Sequence, residues 1–184
     1  MRIISGAYRG LRLQTLKSGK LRPTSDQLRE TLFDVLGPAV AGSTFLDAYA
    51  GSGAVGLEAL SRGAAGVVFI DRHRAAVELI QKNLEALKIE SGFRLMSCEV
   101  VRGLERLAEE GGRLDYLFLD PPYEEIREYH HALRQSGRGD LLKPTSWVIA
   151  EHSRHCVLED HYGALHRIRL LRHGDAQLAF YRLG

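Results

Sequence analysis

Apolar residues recur along this chain with two periods, and the change from one to the other organises it. The opening RIISGAYRGLRLQ reads as two short strands around a glycine-bearing turn from Gly6 to Gly10, and residues 16–23 as a loop. Thr24 is the expected N-cap of a helix, with Gln27 as the second half of a capping box. Leu28, Leu32, Phe33 and Leu36 put one apolar face on that helix, and Gly37-Pro38 ends it. From Thr44 the rhythm alternates. TFLDAYA is a short strand, residues 54–62 a short helix stopped by Gly63, GVVFID a buried strand, and His73 to Leu87 a helix with Val77, Ile80, Leu84 and Leu87 on one face. FRLMS is the next strand, then a helix carrying Val101, Leu104 and Leu107, then the most apolar strand, LDYLFLD. A helix near 125–135, a strand at WVIAE and a hairpin turning at Gly174-Asp175 complete the chain.

Strands alternating with helices predict an α/β fold: a mostly parallel, doubly wound Rossmann-like sheet covered on both faces, with an antiparallel hairpin at one edge. The expected division is a basic β-hairpin and loop over 1–23 and a single domain over 24–184. Ligands of such sheets bind at the carboxyl ends of strands. Three notable sequences fall there: a glycine loop, Asp71 and Asp120-Pro121-Pro122-Tyr123.

Composition narrows the class. The chain has 184 residues, enough to bury its own core without staples. Cys98 and Cys156 lie far apart in no paired motif, which suits a reducing, cytoplasmic setting. No apolar run approaches a membrane span, and MRIISGAYRG lacks the apolar centre of a signal peptide. The net charge of +2 says little, but its distribution says more. Residues 1–22 carry Arg2, Arg9, Arg12, Lys17, Lys20 and Arg22 and no acid. Such an excess is an electrostatic footprint for a polyanion, and a solvated arm is the plainer alternative.

Gly51-Ser52-Gly53-Ala54-Val55-Gly56 fits G-x-G-x-x-G between a strand and a helix. Asp71 ends the next strand, at the spacing of an acid that accepts from ribose hydroxyls. Together they point to an adenosine-containing cofactor. Asp47 precedes the glycines, where a carboxylate suits the cationic ammonium of S-adenosylmethionine and would repel a pyrophosphate. A tight strand-to-helix connection, with Asp71 as a helix cap and Asp47 bonded to loop amides, is the structural alternative.

The tetrad at Asp120 is sharper. Paired prolines stiffen the backbone and remove two donors, leaving carbonyls to point outward without N–H competition. An exocyclic base amine is a poor nucleophile because its lone pair is delocalised. The Asp120 carboxylate and Pro121 carbonyl are two acceptors for its two N–H groups, able to turn the lone pair toward a methyl donor. Tyr123 offers a ring for the base to stack on, and a paired base must first be flipped. A proline turn with Tyr123 at its rim is the bland alternative.

RIISGAYRG, RPTSDQLRETLFDVL, LDAYAGSGAVGLEALSRGA and LDPPY, in that order, resemble the RsmD-type ribosomal RNA guanine-N2 methyltransferases across nearly the whole chain. The loop and tetrad are common to many amino-methyltransferases; the first two segments narrow the resemblance. It implies transfer of a methyl group from S-adenosylmethionine to the N2 of one guanine in 16S rRNA, within a partly or fully assembled small subunit, by a monomer. Carried over by position, Asp47, Tyr49, Gly51 and Gly53 would line the cofactor and Asp71 would hold its ribose. Asp120, Pro121 and Tyr123 would hold the guanine, and Arg2, Arg9, Arg12, Lys20 and Arg22 the RNA. Arg22, Thr24, Arg29 and Glu30 match the family's helix signature. One departure stands out: where the family has an Asp near adenine, this chain has Cys98-Glu99, and Glu99 aligns best.

Three other functions fit parts of the pattern: an adenine-N6 amino-methyltransferase, an NAD-dependent oxidoreductase, and a non-catalytic RNA-binding assembly factor. The second leaves the tetrad and Asp47 unexplained. His152, His155, Cys156 and His161 cluster in sequence but match no zinc spacing, and no metal is expected. Glu151 ends a strand, facing either a cleft or solvent. Arg167, Arg169 and Arg172 alternate on one strand, for phosphate or for edge solubility.

Overall fold

A computed structural model of the chain describes residues 1–15 and 25–184. It comprises two compact units, Met1–Cys98 and Glu99–Gly184. Thr24, Lys20 and Arg22 lie outside the described residues.

The N-terminal unit starts with the expected hairpin, but the two strands reduce to one antiparallel bridge between Arg2 and Arg12. Four amides of the hairpin are claimed by α2. Ile4 and Ser5 donate to the Glu58 carboxylate, Tyr8 to Ser61 Oγ, and Ala7 to the Ser61 carbonyl. A Cβ on Gly6 would sit 1.8 Å from that Ser61 carbonyl oxygen, so only glycine permits the approach.

Helix α1 spans Asp26–Leu36, and its cap is Ser25, not Thr24: Ser25 Oγ accepts from Leu28 N–H at 3.1 Å. The expected apolar face is buried as read, and Gly37 at φ +63° closes the helix before a 3-10 turn at Gly37–Val40. Then follow β1 (Thr44–Ala48), α2 (Ala54–Ser61), β2 (Gly66–Asp71), α3 (Arg74–Ala86) and β3 (Phe93–Ser97). The strands are parallel, in the order β3-β2-β1.

The C-terminal unit runs α4 (Val100–Glu109), β4 (Leu114–Leu119), α5 (Ile126–Ser136), β5 (Leu142–Ser153), β6 (His161–Tyr162), β7 (Leu165–His173) and β8 (Ala176–Leu183). Its order is β4-β5-β8-β7-β6, parallel at β4–β5 and antiparallel after it. On α4 the buried face is Val100, Gly103, Leu104 and Leu107, one residue off the Val101 expected. Strand β5 begins well before Trp147, with a register shift against β4 between Leu114 and Tyr116. Ser146 Oγ bridges the irregularity, accepting from Lys143 N–H at 2.7 Å and donating to the Leu114 carbonyl. Four consecutive buried residues of β8, Leu178 to Tyr181, are covered on both faces. The hairpin turn falls at Gly174-Asp175 as read. The α/β class, parallel strands first and antiparallel last, is the one expected.

Candidate active site

In the N-terminal unit the chemistry gathers on the loop between β1 and α2. Gly51 and Gly53 adopt φ of +56° and +75°, which glycine takes without strain. Gly56 meets a different constraint: a Cβ there would lie 2.3 Å from the Phe69 ring, so the third glycine lets α2 pack on β2. Tyr49, at φ +62° and half-buried, takes the left-handed conformation without that freedom.

Asp47, on β1, is 2 % exposed. Its Oδ2 accepts from Gly56 N–H at 2.8 Å. Burial pushes its pKa up to about 8, against the Gly56 hydrogen bond; the nearby Asp71 charge adds to the rise and Arg29 opposes it. Burial favours the protonated form of this carboxyl, and an arriving cation would restore its charge, so the position favours a cationic group over a phosphate. Asp71 uses both oxygens: Oδ2 accepts from Gly51 N–H at 2.9 Å and Oδ1 from His73 N–H at 2.8 Å. Thus both acids hold backbone amides, but not as the structural alternative had them: Asp47 bonds an amide of α2, and Asp71 bonds the glycine loop and the amide of His73, which is itself the cap of α3. Each oxygen keeps a second lone pair for a ligand.

Two residues that the pattern did not single out hold this loop and the N-terminal hairpin. Asn83, buried on α3, donates to the Ser52 carbonyl at 3.0 Å and the Gln14 carbonyl at 3.1 Å, and accepts from Gln14 N–H at 2.8 Å. It ties the glycine loop to the end of the basic arm. Glu58, fully buried on α2, accepts from Ile4 N–H, Ser5 N–H and Arg62 Nε, the last at 2.8 Å. The Arg29 Nε lies 3.8 Å from its other oxygen. Arg29, also fully buried, donates to the Arg2 carbonyl and to Asp26, while its Nε and Nη1 have no hydrogen-bond partner among the described residues. Burial pulls its pKa down, against the pull of Glu58 and Asp26.

Arg2, Arg9 and Arg12 are exposed on the hairpin. Arg2 and Arg9 line a cavity of about 390 Å³ together with Asp26, Gln27 and Glu30 of the first helical turn.

In the C-terminal unit Asp120 follows β4 directly, half-buried, with Pro121 buried behind it. The Pro121 carbonyl is not unclaimed, contrary to expectation: Tyr129 of α5, fully buried, donates its hydroxyl to it at 3.0 Å. The prolines remove N–H competitors, but a side-chain hydroxyl takes one lone pair and leaves the other. Burial, then the charges of Asp120, Cys156, Tyr123 and Glu151, hold the Tyr129 hydroxyl in its protonated, donating form. Tyr123 is half-buried and donates to Glu151 Oε1 at 3.3 Å. Glu151 is 3 % exposed, so the solvent-facing alternative for it falls. Glu99 is exposed at the N-terminus of α4, where its side chain makes no capping bond.

The histidine cluster disperses. His152 is buried with Nδ1 at 3.0 Å from both the Ser153 and Cys156 carbonyls, and burial lowers its pKa, while His155 and His161 are exposed. Among the described residues no group of three His, Cys, Asp or Glu side chains is placed to hold a metal. Arg167 bonds Asp160 and the Leu158 carbonyl; Arg169 and Arg172 are exposed. Among the described residues no helix is long and apolar enough to cross a membrane.

Similarity to known proteins is extensive. The family described as "Conserved hypothetical protein 95" matches residues 1–182. A Bacillus subtilis protein, YlbH, provisionally named an rRNA methyltransferase, is 32% identical over 182 residues, covering 99% of this chain and 98% of the relative. Ribosomal RNA small subunit methyltransferase D of Escherichia coli is 43% identical over 123 residues, 67% of this chain and 60% of that protein. The solved structure of Escherichia coli yhhF, provisionally described as a methyltransferase, matches with a TM-score of 0.85 at 29% identity, covering 100% of this chain and 97% of that one. The tetrad, the glycine loop and a match along almost the entire chain agree: this chain belongs to the RsmD-type family of Rossmann-like rRNA methyltransferases.

Proposed function

We propose that this protein methylates the exocyclic N2 amine of one guanine in 16S rRNA, acting as a monomer on a partly or fully assembled small ribosomal subunit. The observation that carries the reading is the tetrad after β4, with its acceptor carbonyl fixed by Tyr129 and its ring tethered by Glu151. The relatives named for the small subunit support the RNA. The guanine rests on the N-terminal segments RIISGAYRG and RPTSDQLRETLFDVL, which narrow the resemblance.

S-adenosylmethionine, when bound, supplies an electrophilic methyl group on a cationic sulfonium. Its fit rests on the buried carboxyl of Asp47, which offers a counter-charge to the ammonium group. Asp71 holds the ribose, Tyr49, Gly51 and Gly53 line the loop, and Glu99 takes the adenine end. Asp120 accepts one N–H of the target amine, and the remaining lone pair of the Pro121 carbonyl accepts the other. Held by both, the amine turns its lone pair out of conjugation, and the developing positive charge meets two fixed negative dipoles. Tyr123 stacks on the base, which enters unpaired or flipped. The methylated nitrogen is strongly acidic and loses its proton to water. Arg2, Arg9 and Arg12 of the hairpin, with Lys20 and Arg22, contact phosphates.

The test is labelled-methyl transfer to small subunits from cells lacking the enzyme, with the product nucleoside identified and naked rRNA run in parallel. N2-methylguanosine is the expected product. Asp120→Ala should retain cofactor binding and lose nearly all turnover. Methylation of adenine, or wild-type turnover by the variant, would refute this reading.

A further inference from the structure

The tetrad explains how an amine is held but not why that amine should belong to guanine. The two amino-bearing purines differ beside the amine. Guanine presents N1–H, a donor, next to its N2 amine; adenine presents N1, an acceptor, next to its N6 amine. A residue that reads N1 therefore separates them.

The register of the C-terminal unit places such a residue. Parallel strands β4 and β5 pair Leu119 with Ala150. The next residues, Asp120 and Glu151, stand at the same level, about one strand spacing, roughly 5 Å, apart. Side chains alternate between faces along each strand, so these two carboxylates lie on the same side. Glu151 is 3 % exposed and is linked to the tetrad through the Tyr123 hydroxyl at 3.3 Å. With the base on Tyr123 and its amine on Asp120, as proposed above, Glu151 is the buried carboxylate beside that amine.

The geometry points to Glu151 as the specificity-determining residue: its carboxylate accepts the N1–H of guanine while Asp120 and Pro121 hold the N2 amine. A carboxylate offers adenine N1 only lone pairs, and two acceptors facing each other repel. A buried site built to pair with a donor rejects the analogue that lacks it, because its acceptor is then left unpaired. This inference rests on the guanine-N2 reading and adds to it the means of selection.

The probe is 2-aminopurine, which keeps the N2 amine but carries an acceptor at N1. Small subunits would be reconstituted with 16S rRNA bearing 2-aminopurine in place of the nucleotide that the wild-type enzyme methylates. Wild-type protein should methylate guanine faster than 2-aminopurine by roughly 10- to 100-fold, the worth of a hydrogen bond to a charged group. The Glu151→Gln amide can accept from N1–H or donate to a bare N1. Its guanine rate should fall, and its guanine to 2-aminopurine ratio should collapse toward one. A purely structural role for Glu151 would lower both rates together and leave the ratio unchanged, which overturns the inference. Equal wild-type rates on the two bases overturn it without any variant, so a poorly folding Glu151→Gln does not protect it. If wild-type protein methylates adenine and not guanine, the proposed function fails and this inference with it. If it methylates guanine with an unmoved ratio, only the role of Glu151 fails.

Discussion

Replacing Glu58 with Gln removes one charge from a position with no solvent exposure and four donors around it. Oε1 accepts from Ser5 N–H at 3.0 Å and Arg62 Nε at 2.8 Å; Oε2 accepts from Ile4 N–H at 2.8 Å and neighbours Arg29. A glutamine amide satisfies one of these sides and turns an NH2 against the other. At least one charge-assisted bond to the backbone is lost, at a cost of about 1.5–3 kcal/mol. Arg29 is left with Asp26, whose side chain is 48% exposed, as its acidic partner. Breaking a buried ion pair costs about 3–5 kcal/mol, but the 3.8 Å gap between Arg29 and Glu58 places this case at the low end. Both figures count the loss of the same carboxylate charge and are not added, so the expected loss is about 3 kcal/mol, a large share of the stability of an ordinary domain. Urea unfolding followed by circular dichroism measures it. Hydrogen exchange at the Ile4 and Ser5 amides should speed up together, because both donate to the lost carboxylate. rRNA methylation should weaken through RNA affinity, since the hairpin that carries Arg9 and Arg12 loses its anchor. A loss under about 1 kcal/mol with unchanged exchange at both amides would refute the account of Glu58 as the hairpin's anchor.

Tyr129→Phe leaves the Pro121 carbonyl without its donor; kcat should fall roughly tenfold with cofactor affinity unchanged, and stability by about 1 kcal/mol, in steady-state kinetics and urea unfolding. Gly56→Ala forces a methyl against the Phe69 ring and should cost about 1–3 kcal/mol in thermal unfolding. Asp47 has a folded pKa of about 8 against an unfolded value of about 3.9, so its contribution to stability is full below that lower value and is lost as pH rises through the upper one; Asp47→Asn should flatten that decline when unfolding is compared at acid and alkaline pH. Arg9→Ala and Arg12→Ala should each weaken RNA binding and reduce its salt dependence by about one counterion, and an unchanged slope would return them to a solvated arm.

Much of the fold was legible because one physical effect dominated it. Burial of a single face set the period of α1 and α3, and burial of both faces made β4 apolar from Tyr116 to Leu119. What was not legible depended on partners distant in sequence. The arm reads as two strands because Ile3 and Leu13 are apolar and flank glycines, yet Ile4, Ser5, Ala7 and Tyr8 give their amides to α2 instead of to a cross-strand partner. Glu58 and Asn83 are polar positions on helices whose partners, the docked arm among them, are distant in sequence and only the fold brings to them. The two residues of β6 are too few to show any period. Position Val101 was misplaced because adjacent valines at 100 and 101 leave a helical phase undecided by one residue.

The tetrad shows the same limit at the level of chemistry. Two prolines are enough to infer that no nearby N–H will occupy the acceptors, since the reason is covalent and local. They are not enough to infer what orients the Pro121 carbonyl, because that group is Tyr129, on the following helix, and the bond exists only once α5 has packed. The difference bears on mechanism. An acceptor that rotates freely must be ordered as the amine arrives, and the ordering opposes the reaction. An acceptor already held by a buried hydroxyl has one lone pair committed and the other fixed in direction, so the cost is met during folding. In the mechanism proposed above the tetrad therefore needs more than its own four residues: Tyr129 holds the Pro121 carbonyl, Glu151 holds the Tyr123 hydroxyl, and Asp120 would complete a geometry the fold has already prepared.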